Sequence, residues 1–385
     1  MKKIAQINIL ILFAVSLLTF NLRAQDSKYD SLITSGIKQI YSIKFPEAER
    51  SFKRIIKDYP NKPAGKFFLA MIDWWKIMLD PENESFDEGF QDKIEAVIDQ
   101  CENILDRDPN NVDALFFKGG AIGFRGRLRA YRESWLKAAD DGREALPLVQ
   151  KAGRLDPKNV DVKLGFGIYN YYAAVLPEKY SMLKAIMLFL PSGNKQRGIA
   201  DLEYVSRDGI YAKYEARYFL MSINYYYEEN YLRALQYAEM LNKDFPDNPA
   251  FERWLGRIFA RQGNSEKSSE IFNNIFQKGN KELPGYTTQF VKREAVYYVG
   301  YNLQQTGKLD SAKTYFLQCA DISNSIENKR DSGFLINSYL YLGMINDNSG
   351  NRAKAIEYYK KVLDMRDFGR SKELAEQYLK IPYKR

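Results

Sequence analysis

The sequence predicts an all-α fold, a right-handed α-solenoid of about eight antiparallel helix pairs finished by a C-terminal capping helix. Three observations carry this. Small residues recur at one fixed interval along the chain. Glycine-centred turns and Asp-Pro-Asn clusters separate apolar segments of helical length. The 385 residues are too many for one small core, but they suit a stack in which each pair touches only its neighbours.

The N-terminus comes first. Lys2 and Lys3 precede an apolar run from Ile4 to Phe20, and Leu22-Arg23-Ala24-Gln25 offers a small residue for cleavage after Ala24. Residues 1–24 are therefore predicted to be a secretory signal peptide, and 25–385 the repeat array. The apolar core is short for a spanning helix, which needs about 20 residues, so cleavage is favoured over an uncleaved anchor. No cysteine lies nearby for lipid attachment. The expected destination is the periplasm or the outer envelope.

The repeats follow. From the small residue of a first helix to that of the second the interval is twelve residues, five times over: Gly36 to Ala48, Ser222 to Ala234, Gly256 to Ser268, Gly300 to Ala312 and Gly343 to Ala355. Two helices crossing closely cannot both carry bulk at the crossing. Four residues after the second small residue stand Phe52, Phe272, Phe316 and Tyr359, expected to fill the gap to the next pair. Gly263, Gly307 and Gly350 sit just past first helices, where a left-handed residue is favoured. Asp108-Pro109-Asn110-Asn111, Asp156-Pro157-Lys158-Asn159 and Phe245-Pro246-Asp247-Asn248 end one helix and cap the next. Three less regular pairs are placed at 63–109, 111–157 and 160–209, with inserted loops near 80–90, 126–134 and 176–194. Residues 371–380 read as the cap.

This grammar resembles the tetratricopeptide repeat (TPR) family over most of residues 29–367. The middle is similar to a group of exported bacterial repeat proteins, on Gly119-Gly120-Ala121-Ile122-Gly123-Phe124-Arg125-Gly126, Gly167-Ile168-Tyr169-Asn170-Tyr171-Tyr172 and Leu190-Pro191-Ser192-Gly193. The resemblance implies a helical scaffold for protein or peptide partners. It implies no particular activity.

Composition narrows the chemistry. There is no histidine, so Ser-His-Asp and Cys-His arrangements and His-containing zinc sites are excluded. Two cysteines, Cys101 and Cys319, are too few for a cysteine-only zinc site and are expected as buried free thiols. No catalytic, cofactor or metal residue is assigned. The net charge of +8 falls to +5 when the three basic residues Lys2, Lys3 and Arg23 leave with the leader. That density does not suit nucleic acid.

Each local cluster has a structural alternative. The run Gly119 to Gly126 lacks the Lys-Ser or Lys-Thr of a phosphate loop, so close helix packing is preferred. Arg125, Arg127, Arg129 and Arg132, with Tyr131 and Trp135, fall in an expected inserted loop. They suit an acidic partner or headgroup, or pairing with Glu133, Asp140 and Asp141, which is favoured. The apolar stretch 177–191 could lie on a membrane or fold onto the array's own helices. Asp80, Glu82, Glu84, Asp87 and Glu88 lack calcium-loop order and read as a solvated acidic turn.

The candidate binding surface is a face of the first helices. Arg253, Arg257 and Arg261 recur every four residues and so share one stripe. Counting from the small residue of each pair places Phe219, Ile223, Tyr226 and Tyr227 beside them on one side and Tyr297 and Tyr301 on the other. An arginine row between aromatic rows suits a peptide carrying a carboxylate. The alternative is that these arginines pair with acids of the next helix. The expected function is a non-catalytic exported scaffold that binds a protein or peptide in the bacterial cell envelope. The second reading is a membrane-surface accessory protein using 177–191, and the third a hydrolase using carboxylates alone.

Overall fold

The computed structural model describes residues 28–179, 184, 191–327 and 330–384. Among these, every regular element is helical. The elements pair in chain order: α1 (residues 28–41) with α2 (Phe45–Asp58), α3 (Ala64–Leu79) with α4 (Asp87–Leu105), α5 (Val112–Tyr131) with α6 (Trp135–Leu155), and α7 (Lys163–Lys179) with α8 (Lys195–Asp208). Then follow α9 (Lys213–Tyr226) with α10 (Tyr231–Asp244), α11 (Pro249–Arg261) with α12 (Ser265–Asn280), α13 (Gln289–Gln305) with α14 (Leu309–Ile326), and α15 (Gly333–Asn348) with α16 (Arg352–Asp364). The cap is α17 (Ser371–Lys380). The helical-solenoid class and the expected set of pairs are thus present.

The twelve-residue interval has a direct physical cause. A Cβ placed on Gly36, Gly256 or Gly343 would lie 2.5, 2.4 or 2.3 Å from the ring of Phe52, Phe272 or Tyr359, each in the second helix of the same pair. The rings also reach the following element, which was the expected role. Phe52 stacks on Phe68 at 5.7 Å, Phe272 on Tyr298 at 4.4 Å, and Phe316 on Tyr341 at 5.0 Å. One side chain therefore closes its own hairpin and seats the next.

Ends are fixed as expected where the chemistry is local. Asn111, Asn248, Asn264 and Asn351 accept backbone N–H bonds at helix starts. Gly263, Gly307 and Gly350 have φ of +79°, +80° and +75°. In three other pairs a side-chain-bearing residue takes that conformation at the turn between the two helices: Ile43, Glu133 and Glu229.

Three boundaries differ from expectation. Residues 126–131 are not an inserted loop but the last turns of α5. Gly119 and Gly126 let α5 approach α6 closely: a Cβ on either would lie 2.8 Å from Val149 or 2.9 Å from Asp141. The acidic insertion ends at Phe86, because Asp87 and Glu88 form the first turn of α4. The third insertion begins later, since Pro177–Lys179 continue α7.

The chain divides into two compact units. The first comprises the residues up to Trp74 with Asp87–Ala216, the second Trp75–Phe86 with Arg217 onward. In the first unit the segment after α8 returns to the first hairpin. The Tyr211 hydroxyl donates to Asp30, the Tyr41 hydroxyl donates to Glu215 at 3.1 Å, and Tyr211 meets the rings of Phe68 and Phe117. Phe67, Phe117 and Phe124 pack together beside them. That face is filled by the unit's own aromatic side chains.

Buried Asp161 holds this return. Its carboxylate accepts backbone N–H bonds from Ile210, Tyr211 and Ala212 at 3.0–3.1 Å. Asp161→Ala leaves three amides without an acceptor, at an expected cost of about 1–3 kcal/mol. Amide exchange at 210–212 should accelerate, as read by hydrogen–deuterium exchange. Unchanged protection there would show that Asp161 does not hold the segment.

Candidate functional site

The arginine stretch of α5 is spent on internal pairs. Arg125 bonds Asp141 at 2.7 Å and Glu95 at 2.9 Å, and Arg129 bonds Asp141 at 2.6 Å. Arg127 pairs with Glu215 and lies over Trp74 at 4.7 Å. Arg132 donates to both oxygens of Asp87, at 2.6 and 2.9 Å. Side chains expected in a loop stand instead on or next to a helix, and acids far along the chain neutralise them.

The row Arg253, Arg257, Arg261 divides the same way. Glu294, fully buried on α13, accepts from Arg253 Nε at 2.6 Å and from Arg257 Nη2 at 2.7 Å, with a further bond from Arg257 Nε. Burial disfavours the Glu294 carboxylate, but the charges of Arg253 and then Arg257 outweigh that and hold its pKa down at about 2. These two arginines join one repeat to the next, which was the alternative reading of the row. Arg253 also lies over Phe290 at 4.6 Å. Arg261, one turn further on, is exposed; its Nε meets the Tyr225 hydroxyl at 3.4 Å, and no carboxylate pairs with it among the described residues.

Within the second unit a pocket of about 1020 Å³ opens beside Arg261. First helices supply Tyr297, Tyr298, Tyr301, Phe334, Asn337 and Tyr341; connecting segments supply Arg330, Asp331, Arg366 and Phe368. Arg261, Tyr297 and Tyr301 of the expected surface meet here, whereas Arg253, Arg257, Tyr226 and Tyr227 do not line it. Tyr226 is half exposed (49%), edge-on to Trp254 at 5.5 Å. Tyr297 is buried against Phe316 and Phe334.

Arg293 is the residue the count from the small positions missed. It stands two turns before Gly300, where that count did not look. It is 1% exposed, and its guanidinium lies 5.1 Å from the Phe290 ring and 5.2 Å from the Phe334 ring. Nη1 donates to Glu327 at 2.7 Å and Nη2 to Glu82 at 3.4 Å, while buried Nε has no acceptor among the described residues. The connecting segments could not be found by repeat counting, because they have no helical register.

Other candidates resolve briefly. Cys101 and Cys319 are free and buried, and burial pushes their thiols up to about 12 and about 11. Neither is a thiolate nucleophile at neutral pH. No group of His, Cys, Asp and Glu among the described residues could hold a metal ion, and none of their helices is long and apolar enough to cross a membrane. Residues 1–24 lie outside the described residues, as does 177–191 apart from Pro177–Lys179, Lys184 and Pro191.

Comparison with known proteins agrees with the geometry. Residues 294–326 and 336–368 match one family model of the tetratricopeptide repeat, and 219–273 match a second. A search of curated protein sequences returned no match. Among solved structures the chain is similar to the APC/C hetero-tetramer Cut9-Hcn1, with a TM-score of 0.53 and 13% identity over 91% of this chain and 55% of that one. It thus spans about half the length of that relative, and the likeness is one of fold. Weaker likenesses include Pseudomonas aeruginosa pilF (TM-score 0.43, 11% identity, 67% of this chain and 96% of that one). Another is a tetratricopeptide repeat protein from Parabacteroides merdae (TM-score 0.40, 14% identity, 78% and 97%). Residues 219–273, 294–326 and 336–368 are thus tetratricopeptide repeats, and the ring over a small residue that locks their helix pairs recurs in the first hairpin, at Gly36 and Phe52.

Proposed function

We propose that the chain is a non-catalytic interaction scaffold, exported to the bacterial cell envelope, that holds an extended segment of a partner protein in the pocket of its second unit. The observation that carries this is the contrast between the two units. The inner aromatic face of the first is filled by its own side chains, whereas the second keeps a pocket of about 1020 Å³ edged by Arg261 and tyrosines. Aromatic rings and arginine are the side chains that contribute most per residue at protein interfaces. Export rests on the pattern of residues 1–24. The absence of histidine and the raised thiols support a non-catalytic role.

The test is a selection of phage-displayed peptides on the purified chain, followed by affinity measurement on the Arg261→Glu variant. Arg261 is exposed and bears no buried pair, so the variant should fold. Selected peptides are expected to bind it at least about tenfold more weakly, equivalent to about 1.4 kcal/mol. Peptides that bind both proteins equally would place binding elsewhere and overturn the assignment.

A further inference from the structure

The pocket already contains part of this chain. Glu82, Asn83 and Glu84 line it, although they belong to the loop between α3 and α4, and Glu82 reaches Arg293 across 211 residues of sequence. The two acids on Arg293 are not equivalent. Glu327 is nearly buried and bonds at 2.7 Å, within the range of a strong charge-assisted bond. Glu82 stands at 3.4 Å with its side chain 39% exposed, a loose and solvent-screened contact.

Arg293 therefore has one firm partner, one loose partner and one donor with no acceptor among the described residues. Its guanidinium is positioned by Phe290 and Phe334, so little ordering remains when a ligand carboxylate arrives. At the other edge Arg261 has only a tyrosine hydroxyl at 3.4 Å. The pocket thus presents two arginines with spare bonding capacity, and Glu82, the looser of the two acids on Arg293, lies on an exposed segment. An apolar segment would leave Arg261 without a carboxylate and Arg293 with Glu327 alone. A carboxylate-bearing segment completes them.

Resting on the reading of this pocket as a peptide site, we propose that the loop 80–86 is an internal occupant, and that the partner's segment is acidic, carrying carboxylates two residues apart as in Glu82-Asn83-Glu84, and displaces the loop from Arg293. The loop then sets a threshold: an incoming segment binds by exchanging a loose intramolecular contact for a fuller intermolecular one, so apparent affinity is reduced by the fraction of time the pocket is self-occupied.

The probe is a fluorescein-labelled peptide copying residues 80–86, Asp-Pro-Glu-Asn-Glu-Ser-Phe, titrated by anisotropy against the full chain and its E82Q/E84Q variant. Both glutamates are exposed, and circular dichroism checks that the fold is retained. The variant is expected to bind the peptide about fivefold or more tightly than the wild-type chain. Binding should weaken with added salt, fall several-fold in Arg261→Ala, and vanish when both peptide glutamates are replaced by glutamine. Equal affinity of the two proteins, or equal binding of the glutamine peptide, would overturn the proposal. If phage selection returns neutral peptides that still require Arg261, the acidic-occupant proposal falls and the scaffold reading stands. If no peptide depends on the pocket, both fall.

Discussion

Replacing Glu294 with glutamine is expected to destabilise the second unit by about 3–5 kcal/mol, the usual cost of removing one member of a buried ion pair. Two guanidinium groups depend on this carboxylate, Arg253 at 2.6 Å and Arg257 through two bonds. Urea denaturation followed by tryptophan fluorescence provides the measurement, since Trp254 packs against Tyr225 and Tyr226 beside Arg257. A triple variant, E294Q with Arg253→Met and Arg257→Leu, should recover most of the loss, because apolar replacement of a whole buried cluster is often neutral or stabilising. Failure of the triple variant to recover would show that the arginines have another essential contact.

The same carboxylate predicts an acid limb. The Glu294 pKa is lowered from an ordinary 4.5 to about 2 in the folded chain. A depressed carboxyl pKa contributes stability that is complete above the unfolded value and is lost as pH falls through the folded one. The contribution at neutral pH is about 3 kcal/mol by linkage, and it should drain away between roughly pH 5 and pH 2. In E294Q that part of the pH profile should be flat.

Phe272→Ala is expected to cost about 3–5 kcal/mol, because the ring is fully buried and holds two hairpins at once. It lies over Gly256 and stacks nearly parallel to Tyr298, at 4.4 Å and 9°. Gly256→Ala tests the other half of the contact. Alanine gains about 1 kcal/mol of helix propensity, but its methyl would stand 2.4 Å from the ring, and such overpacking costs about 1–3 kcal/mol. The clash should win. In the double variant the new methyl occupies part of the space the ring leaves, so the two costs should sum to less than their separate values by about 1 kcal/mol. Strict additivity would mean that the ring and the glycine do not share one contact.

The sequence revealed features whose causes are short in range. Gly256 and Phe272 are sixteen residues apart, as are Gly36 and Phe52, and Gly343 and Tyr359, so one contact repeats as a pattern in the chain. Turns were visible where glycine makes them and hidden where Ile43, Glu133 and Glu229 adopt the same backbone at a steric cost. Arg125 to Arg132 looked like an inserted loop because glycines interrupt the pattern, yet those glycines serve close packing of α5 on α6. The arginine row was ambiguous because its decisive partner, Glu294, lies 37 residues beyond Arg257, in the next pair. Of the pocket, counting from the small residues reached Arg261, Tyr297 and Tyr301 but not Arg293, Phe334, Asn337 or Tyr341, which also stand on first helices. Arg330, Asp331, Arg366, Phe368 and the loop at Glu82 could not be counted to, since spatial proximity alone brings them there.

The division of α3 between two units has a genetic consequence. Trp74 packs with Phe90, Phe124 and Arg127, while its neighbour Trp75 packs with Phe251 and Tyr218. Repeat arrays are usually treated as strings from which whole units can be cut or added at either end. Here the second unit owns twelve residues, Trp75–Phe86, that are encoded inside the first. A truncation that removes the early hairpins also removes one wall of the later pocket, and an insertion anywhere in α3 shifts two cores in a single stroke. The two units therefore cannot be separated by a single cut in the chain, because Trp75–Phe86 lies between stretches of one unit and belongs to the other.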